Sequence, residues 1–288
     1  VLMKVGISAV SMGGAKMAVE KEQPAWEFEK TKKQAWERWN KELSKIKIET
    51  SDDASRKIFY TALYHTMVAP SLFSDVDGAY RGADGKVYNK SRNVYTTMSL
   101  WDTYRAAMPL YHIIHPSKRA DLINTMLDIF DEQGKLPVWH LMGNETDCMV
   151  GNPGVIAVAE AIVKGIEGID KERAYKACKA SVMLDERGQD IRKKYGYIPC
   201  DLYEEACAND MEYAIADAAV ANAARVLGHH EDEKYFKNRS HSWRNFFDKE
   251  TQFVRGRTAD GGWRTPFNPF SAEHRANDYC EGNAWQYI

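Results

Sequence analysis

A carboxylic acid walled by aromatic rings is suited to protonating a leaving oxygen, and the stretch DYCEGNAWQYI carries one. Glu281 stands between Cys280 and Gly282, with Tyr279 before it and Trp285 and Gln286 just after. Rings beside a carboxyl desolvate it and favour its neutral form, which can then donate a proton near neutral pH. The plainer reading is a first-turn acid ahead of a helix that begins in NAWQY. A second group lies in SLWDTYRAAMPL. Trp101 there offers a flat apolar face, and Asp102 could accept hydrogen bonds from two hydroxyls of one sugar. Asp102 would equally suit the positive end of a helix and a pairing with Arg105 at i+3. The third group is VWHLMGNETDCMVGN, where Asn144 and Glu145 follow Gly143 in a loop after Trp139 and His140. A left-handed Asn144 and a helix-capping Glu145 would explain it structurally. Clustered polar groups on a loop favour binding instead.

These groups need a scaffold, and the pattern around them is helical. Residues 24–47 carry Trp36, Trp39, Leu43 and Ile46 on one face, as an amphipathic helix requires. A second helix follows, with Ser51 or Asp52 as its cap, Phe59, Leu63 and Met67 on one face, and Pro70 at its end. Two Asp-Gly pairs, Asp77-Gly78 and Asp84-Gly85, punctuate short alternating runs, so 71–98 reads as a β-excursion. Helices are expected again at 100–112 and 117–133, the latter with Leu122, Met126 and Ile129 as its buried stripe. Further helices are expected at 154–166, 170–194, 205–227 and 231–247. The helix at 205–227 is rich in alanine, which lets neighbours approach on several sides, and Gly228 is a natural residue to end it. Long loops at 134–153 and 255–280 complete the pattern. Paired helices with polar loops between them point to an α/α toroid, with a bundle or a solenoid as the simpler alternatives. The absence of a fixed repeat period argues against a tetratricopeptide array.

The first residues differ. In VLMKVGISAVSMGG, Val5, Ile7 and Ala9 alternate with Lys4, Gly6 and Ser8, which reads as a strand. A lone strand is not stable by itself. The sequence therefore reads as an internal piece of a longer protein, with 1–20 as a strand and linker and 21–288 as the helical domain.

Composition narrows the function. Of 288 residues, 44% are hydrophobic and 28% charged, which is ordinary for a globular chain. Thirty-nine basic against 41 acidic residues leave a net charge of −2 with no basic stretch, which argues against nucleic acid. No apolar run approaches the ~20 residues of a membrane span. Five cysteines without a CxxC pair support neither a zinc site nor a disulfide framework, although Cys200 and Cys207 are close enough in sequence to consider. The 8 Trp and 15 Tyr, many beside Asp, Glu, Asn or His, are the side chains sugar-binding clefts use, and also those that fill cores.

Read together and in order, FYTALYHTMVAPSLFSDVDGAYRG, SLWDTYRAAMPL, GNETDCMVG and EGNAWQY resemble glycoside hydrolase family 92. The resemblance runs from KVGISAVS to QYI. It implies a mainly α catalytic domain, the first two thirds of an (α/α)6 toroid, carrying a β-hairpin insertion. KVGISAVS would then be the last strand of an N-terminal β-sandwich. It also implies a calcium-dependent, exo-acting α-mannosidase, many of which act on α-1,2 linkages of mannose-containing glycans, by inversion. Glu281 maps to the family's general acid. Asp102, beside Trp101, maps to the residue gripping the nonreducing mannose. Asn144, Glu145, Trp285 and Gln286 fall near the same cleft. The general-base aspartate and the calcium ligands are expected beyond Ile288, so these 288 residues are expected to be inactive alone. The family's setting implies a periplasmic, surface or secreted location. Asn152-Pro153 and Ala218 depart from the family's pattern, which expects an aromatic and a histidine at the first place and an aromatic at the second. Those departures bear on linkage preference and cleft shape. Two other readings fit the residues: another α/α-toroid glycosidase of the trehalase or glucoamylase kind, and a noncatalytic carbohydrate-binding protein.

Overall fold

The computed structural model describes residues 1–273 and 278–287. Eleven α-helices and nine short strands are found among them, and helices dominate, as expected. The first three helices are α1 (Met12–Glu22), α2 (Phe28–Leu43) and α3 (Asp53–His65). Asp52 caps α3 by accepting from the amides of Ala54 and Ser55 at 3.0 and 3.2 Å. The β-excursion follows as β1 (Ser71–Leu72), β2 (Ala79–Arg81), β3 (Val87–Asn89), β4 (Tyr95–Thr96) and β5 (Met98–Ser99). β2 and β3 form the hairpin that the Asp-Gly signals predict, with Arg81 opposite Val87 across the Asp84-Gly85 turn. The stretch from Val1 to Ser8 pairs with no strand among the described residues, and Val1, Met3, Val5 and Ile7 are exposed.

Next come α4 (Leu100–Thr103), α5 (Ala107–Ile114) and α6 (Pro116–Gln133). The helix expected at 100–112 is thus two. The break falls at Ala106, whose φ of −139° is not helical. On α6 the stripe of Leu122, Met126 and Ile129 is buried as predicted. The expected loop 134–153 holds a hairpin that sequence reading missed: β6 (Trp139–Leu141) and β7 (Asn144–Glu145), with β6 also pairing β5. Met142 and Gly143 join the two strands, both at positive φ (51° and 77°), as a tight two-residue hairpin turn demands.

The core follows: α7 (Pro153–Val163), α8 (Lys171–Val182), α9 (Gln189–Tyr195), α10 (Ala206–Leu227) and α11 (His230–Arg239). A single helix was expected over 170–194. Left-handed Arg187 and Gly188 (φ 53° and 80°) divide it into α8 and α9. The helix expected over 231–247 likewise ends early, giving way to a 3-10 turn at Ser242–Asn245 and to β8 (Phe247–Asp248), which pairs with β9 (Phe253–Val254). Helix α10 is the hub, packed against α7, α8 and α11. Its Ala214, Ala216, Ala221, Ala223 and Ala224 are buried, and such small side chains let the neighbouring backbones approach. Gly228 ends it in the left-handed conformation (φ 79°), where a Cβ would be strained.

Two acids are buried at this hub. Asp217 accepts from Arg192 Nη1 at 2.6 Å and from Arg239 Nη2 and Nε at 2.7 and 2.9 Å. Asp210 accepts from the Ile198 amide at 2.7 Å and from the Ser242 hydroxyl. All five cysteines are free, so the Cys200–Cys207 pairing considered from sequence is not formed.

Candidate active site

The acid segment is held from both sides. Asp278 is clamped by Arg264, whose Nε and Nη2 each donate to it at 2.8 Å, while Nη2 also reaches the Cys200 carbonyl at 2.6 Å. Such a forked guanidinium–carboxylate pair fixes geometry as well as charge. The Asp278 carbonyl accepts from the Ala208 amide at the start of α10 (3.0 Å), and the Tyr279 hydroxyl donates to the Val254 carbonyl at 2.6 Å. Asp278, Tyr279 and Cys280 are buried, and the chain then turns outward. Glu281 is exposed, sits at φ 49°, and has no hydrogen bond or ion pair to any described residue. A left-handed non-glycine residue is costly and persists where its surroundings impose it. NAWQY does begin a short helix, a 3-10 turn at Ala284–Tyr287.

The clamp is tight enough to test. A Cβ built on Gly256 would lie 1.9 Å from an Asp278 carboxylate oxygen. Gly256→Ala must therefore displace Asp278, and with it the segment leading to Glu281. In the complete protein the expected loss is about 1–3 kcal/mol of stability, the usual cost of overpacking, together with lower turnover, read by thermal melting and an activity assay.

The Trp101 segment meets the acid segment. Trp101 packs with Met149, Val150, Ala208 and Cys280. The Cys280 thiol is pushed up to about 12, first by burial and then by the charges of Glu205 and Glu281, and it hydrogen-bonds Glu205. Asp102 is exposed and accepts from the Ser99 hydroxyl. It does not pair with Arg105, as the simple helix reading expected. Arg105 turns instead to Glu212 on α10. That acid also accepts from Trp101 Nε1 at 3.3 Å and from the Tyr104 hydroxyl at 3.0 Å.

The third group is brought alongside by the sheet, since Ser99 pairs with Trp139. Asn144 is exposed on the hairpin. Glu145 is differently employed: its carboxylate accepts from the amides of Val138, Trp139, Thr146 and Asp147 at 2.8–3.0 Å. It shapes its own loop rather than capping the next helix. Gln286 also folds back, its side-chain oxygen accepting from the Asn283 amide at 2.8 Å. Trp285 stays half exposed, edge-on to Phe253 and tilted against Phe270 with ring centroids 5.1 and 5.7 Å away.

Of the seven non-glycine residues at positive φ among the described residues, Met142 and Asp147 lie in the hairpin stretch and Glu281 in the acid segment. Sequence reading missed Glu212, Glu205 and Arg187. The visible signal was an acid, Glu212, interrupting an alanine-rich helix.

The family model of the glycosyl hydrolase family 92 catalytic domain matches residues 14–288. The chain belongs to glycosyl hydrolase family 92. This family 92 chain is 38% identical to the family GH92 α-mannosidase BT3965 from Bacteroides thetaiotaomicron, with a TM-score of 0.92 over 97% of its length and 38% of that chain. The same relative is known in complex with mannoimidazole (TM-score 0.93, 37% identity). The inverting mannosidase BT2199 from the same organism matches at 27% identity and a TM-score of 0.88, over 96% of this chain and 39% of that one. A protein described as an uncharacterized secreted glycosidase from Arthroderma benhamiae is 26% identical over 92% of this chain and 33% of its own length. The chain thus spans between a third and two fifths of these relatives.

Calcium, implied by the resemblance, needs a set of oxygen donors. Among the described residues no three His, Cys, Asp or Glu side chains are grouped to hold a metal ion. No described helix is long and apolar enough to cross a membrane.

Proposed function

We propose that this family 92 chain forms part of the catalytic region of an exo-acting α-mannosidase, and that Glu281 is its general acid. The observation carrying this reading is Glu281, exposed at φ 49° and unpaired among the described residues, delivered by the buried and clamped stretch from Asp278 to Cys280. A rigid support under an exposed acid is what proton delivery to a fixed oxygen requires. In this account Trp101 lies against the sugar face, and Asp102 accepts from hydroxyls of the nonreducing mannose. Asn144 and Trp285 border the leaving group. Glu145 and Gln286 act through the shape of their own loops.

Inversion needs a second carboxylate on the far side of the sugar, ~6.5–9.5 Å from the acid, to activate water. We assign that base to a part of the complete protein outside these residues. The helices described here would then belong to an (α/α)6 toroid, and the complete protein would act on mannose-containing glycans outside the cytoplasm, in the periplasm, at the surface or after secretion. The naming of one relative as secreted supports that location.

The test is mannose release by the complete protein from disaccharides of defined linkage, with the anomer of the first product followed by NMR. The reading expects α-1,2 to be preferred and the β-anomer to appear first. Release of glucose without mannose would contradict it. Calcium dependence is part of the same proposal: a chelator is expected to abolish release and added calcium to restore it. Full activity after chelation and gel filtration would contradict that part.

A further inference from the structure

Asp102 can grip a sugar only if the turn that carries it is fixed in rotation. Helix α4 is four residues long, and no side chain caps its start. Residues spaced i, i+3 and i+4 share one face of a helix. On the α4 segment those residues are Trp101, Tyr104 and Arg105, and all three donate to the single carboxylate of Glu212. Asp102, one position round, is left off that face and exposed.

The acceptor is itself rigid. Glu212 projects from the hub helix α10, and its side chain is only 12% exposed. A Cβ on Gly151 would meet the Cβ of Glu212 at 2.4 Å, so that loop presses directly on it. The guanidinium of Arg105 lies over the Tyr104 ring at 4.6 Å and the Trp101 ring at 5.7 Å, binding the three donors into one block. The acid's own segment reaches the same place: Tyr287 is pushed up first by burial and then by the charge of Glu212.

We propose that Glu212 is a positioning residue, which sets the rotation of α4 and thereby the direction in which Asp102 meets the sugar. The proposal rests on the mannosidase reading. It predicts that Glu212 works through Asp102, so their substitutions should not multiply. Neighbours acting as one unit are non-additive in this way.

The test uses the complete enzyme with a mannose disaccharide, comparing wild type, Glu212→Ala, Asp102→Ala and the double variant. Glu212→Ala is expected to lower kcat/KM about 10- to 100-fold, mostly through KM, because a small misplacement of a positioning group costs that much. Adding it to Asp102→Ala should cost less than about 3-fold more, within the usual error of additivity. Glu212→Gln keeps the size of the side chain while losing the charge and one of the two acceptor oxygens. It serves where Ala prevents folding, and it should show the same KM bias. Wild-type kinetics in a folded Gln variant, or losses that multiply in the double variant, would overturn the proposal. No mannose release by wild type would instead overturn the mannosidase reading beneath it.

Discussion

Glu281→Gln in the complete enzyme should slow hydrolysis of a mannose disaccharide by about 10²–10⁴-fold, the range for losing a general acid. The substitution keeps the size of the side chain and removes only the transferable proton. Because Glu281 is exposed and bonded to no described residue, little folded-state stability depends on it. The melting temperature should therefore stay near that of wild type while the rate collapses. Its neighbours behave oppositely: Asp278, Tyr279 and Cys280 are buried, and changes there should cost stability first.

The largest expected effect on stability lies at the hub. Asp217 is fully buried and is shared as an acceptor by Arg192 and Arg239, with contacts of 2.6–2.9 Å. Asp217→Ala removes the shared acceptor and leaves Arg239 without its carboxylate and Arg192 with Asp210 at 3.3 Å. Breaking a buried pair from one side typically costs about 3–5 kcal/mol, because a charge is left without compensation. Urea unfolding of the complete protein should show this region losing that much stability, with its transition moved to lower denaturant. Replacing all the charged members with apolar residues of similar volume would be far milder, since the penalty comes from the orphaned guanidinium. A shift below about 1 kcal/mol on Asp217→Ala would show that water reaches the cluster.

Local signals were legible in the sequence where each carried its own physics. The Leu122, Met126 and Ile129 stripe, the Asp84-Gly85 hairpin, the Asp52 cap and the Gly228 stop all appear where the pattern puts them. The β6–β7 hairpin escaped because its turn is Met142-Gly143, where the usual signal is Asn-Gly or Asp-Gly. The division of 170–194 had a visible glycine, Gly188, but the helical pattern on either side outweighed it.

The site was legible in part for the same reason. Motif order identified Glu281, Trp101 and Asp102 as residues of interest, and packing brings Trp101 to the Cys280 segment. Side-chain direction was not legible. Spacing offered Arg105 to Asp102 at i+3, whereas the fold offers it Glu212, 107 positions along the chain. Glu145 looked like a helix cap, yet four amides around its own hairpin claim it. Partners so distant, or so dependent on one turn, follow from tertiary packing and leave no local pattern.

The assignment of Glu281 is tested most directly by leaving-group dependence. Wild type and Glu281→Gln of the complete enzyme would each be assayed on a mannose disaccharide and on an aryl mannoside with a strongly activated phenol. A general acid matters when the leaving oxygen is basic and hardly at all when it departs unaided. The account predicts that the variant fails on the disaccharide and approaches wild type on the activated substrate, in the bond-cleavage step. Equal losses on both substrates, or no loss on either, would contradict it.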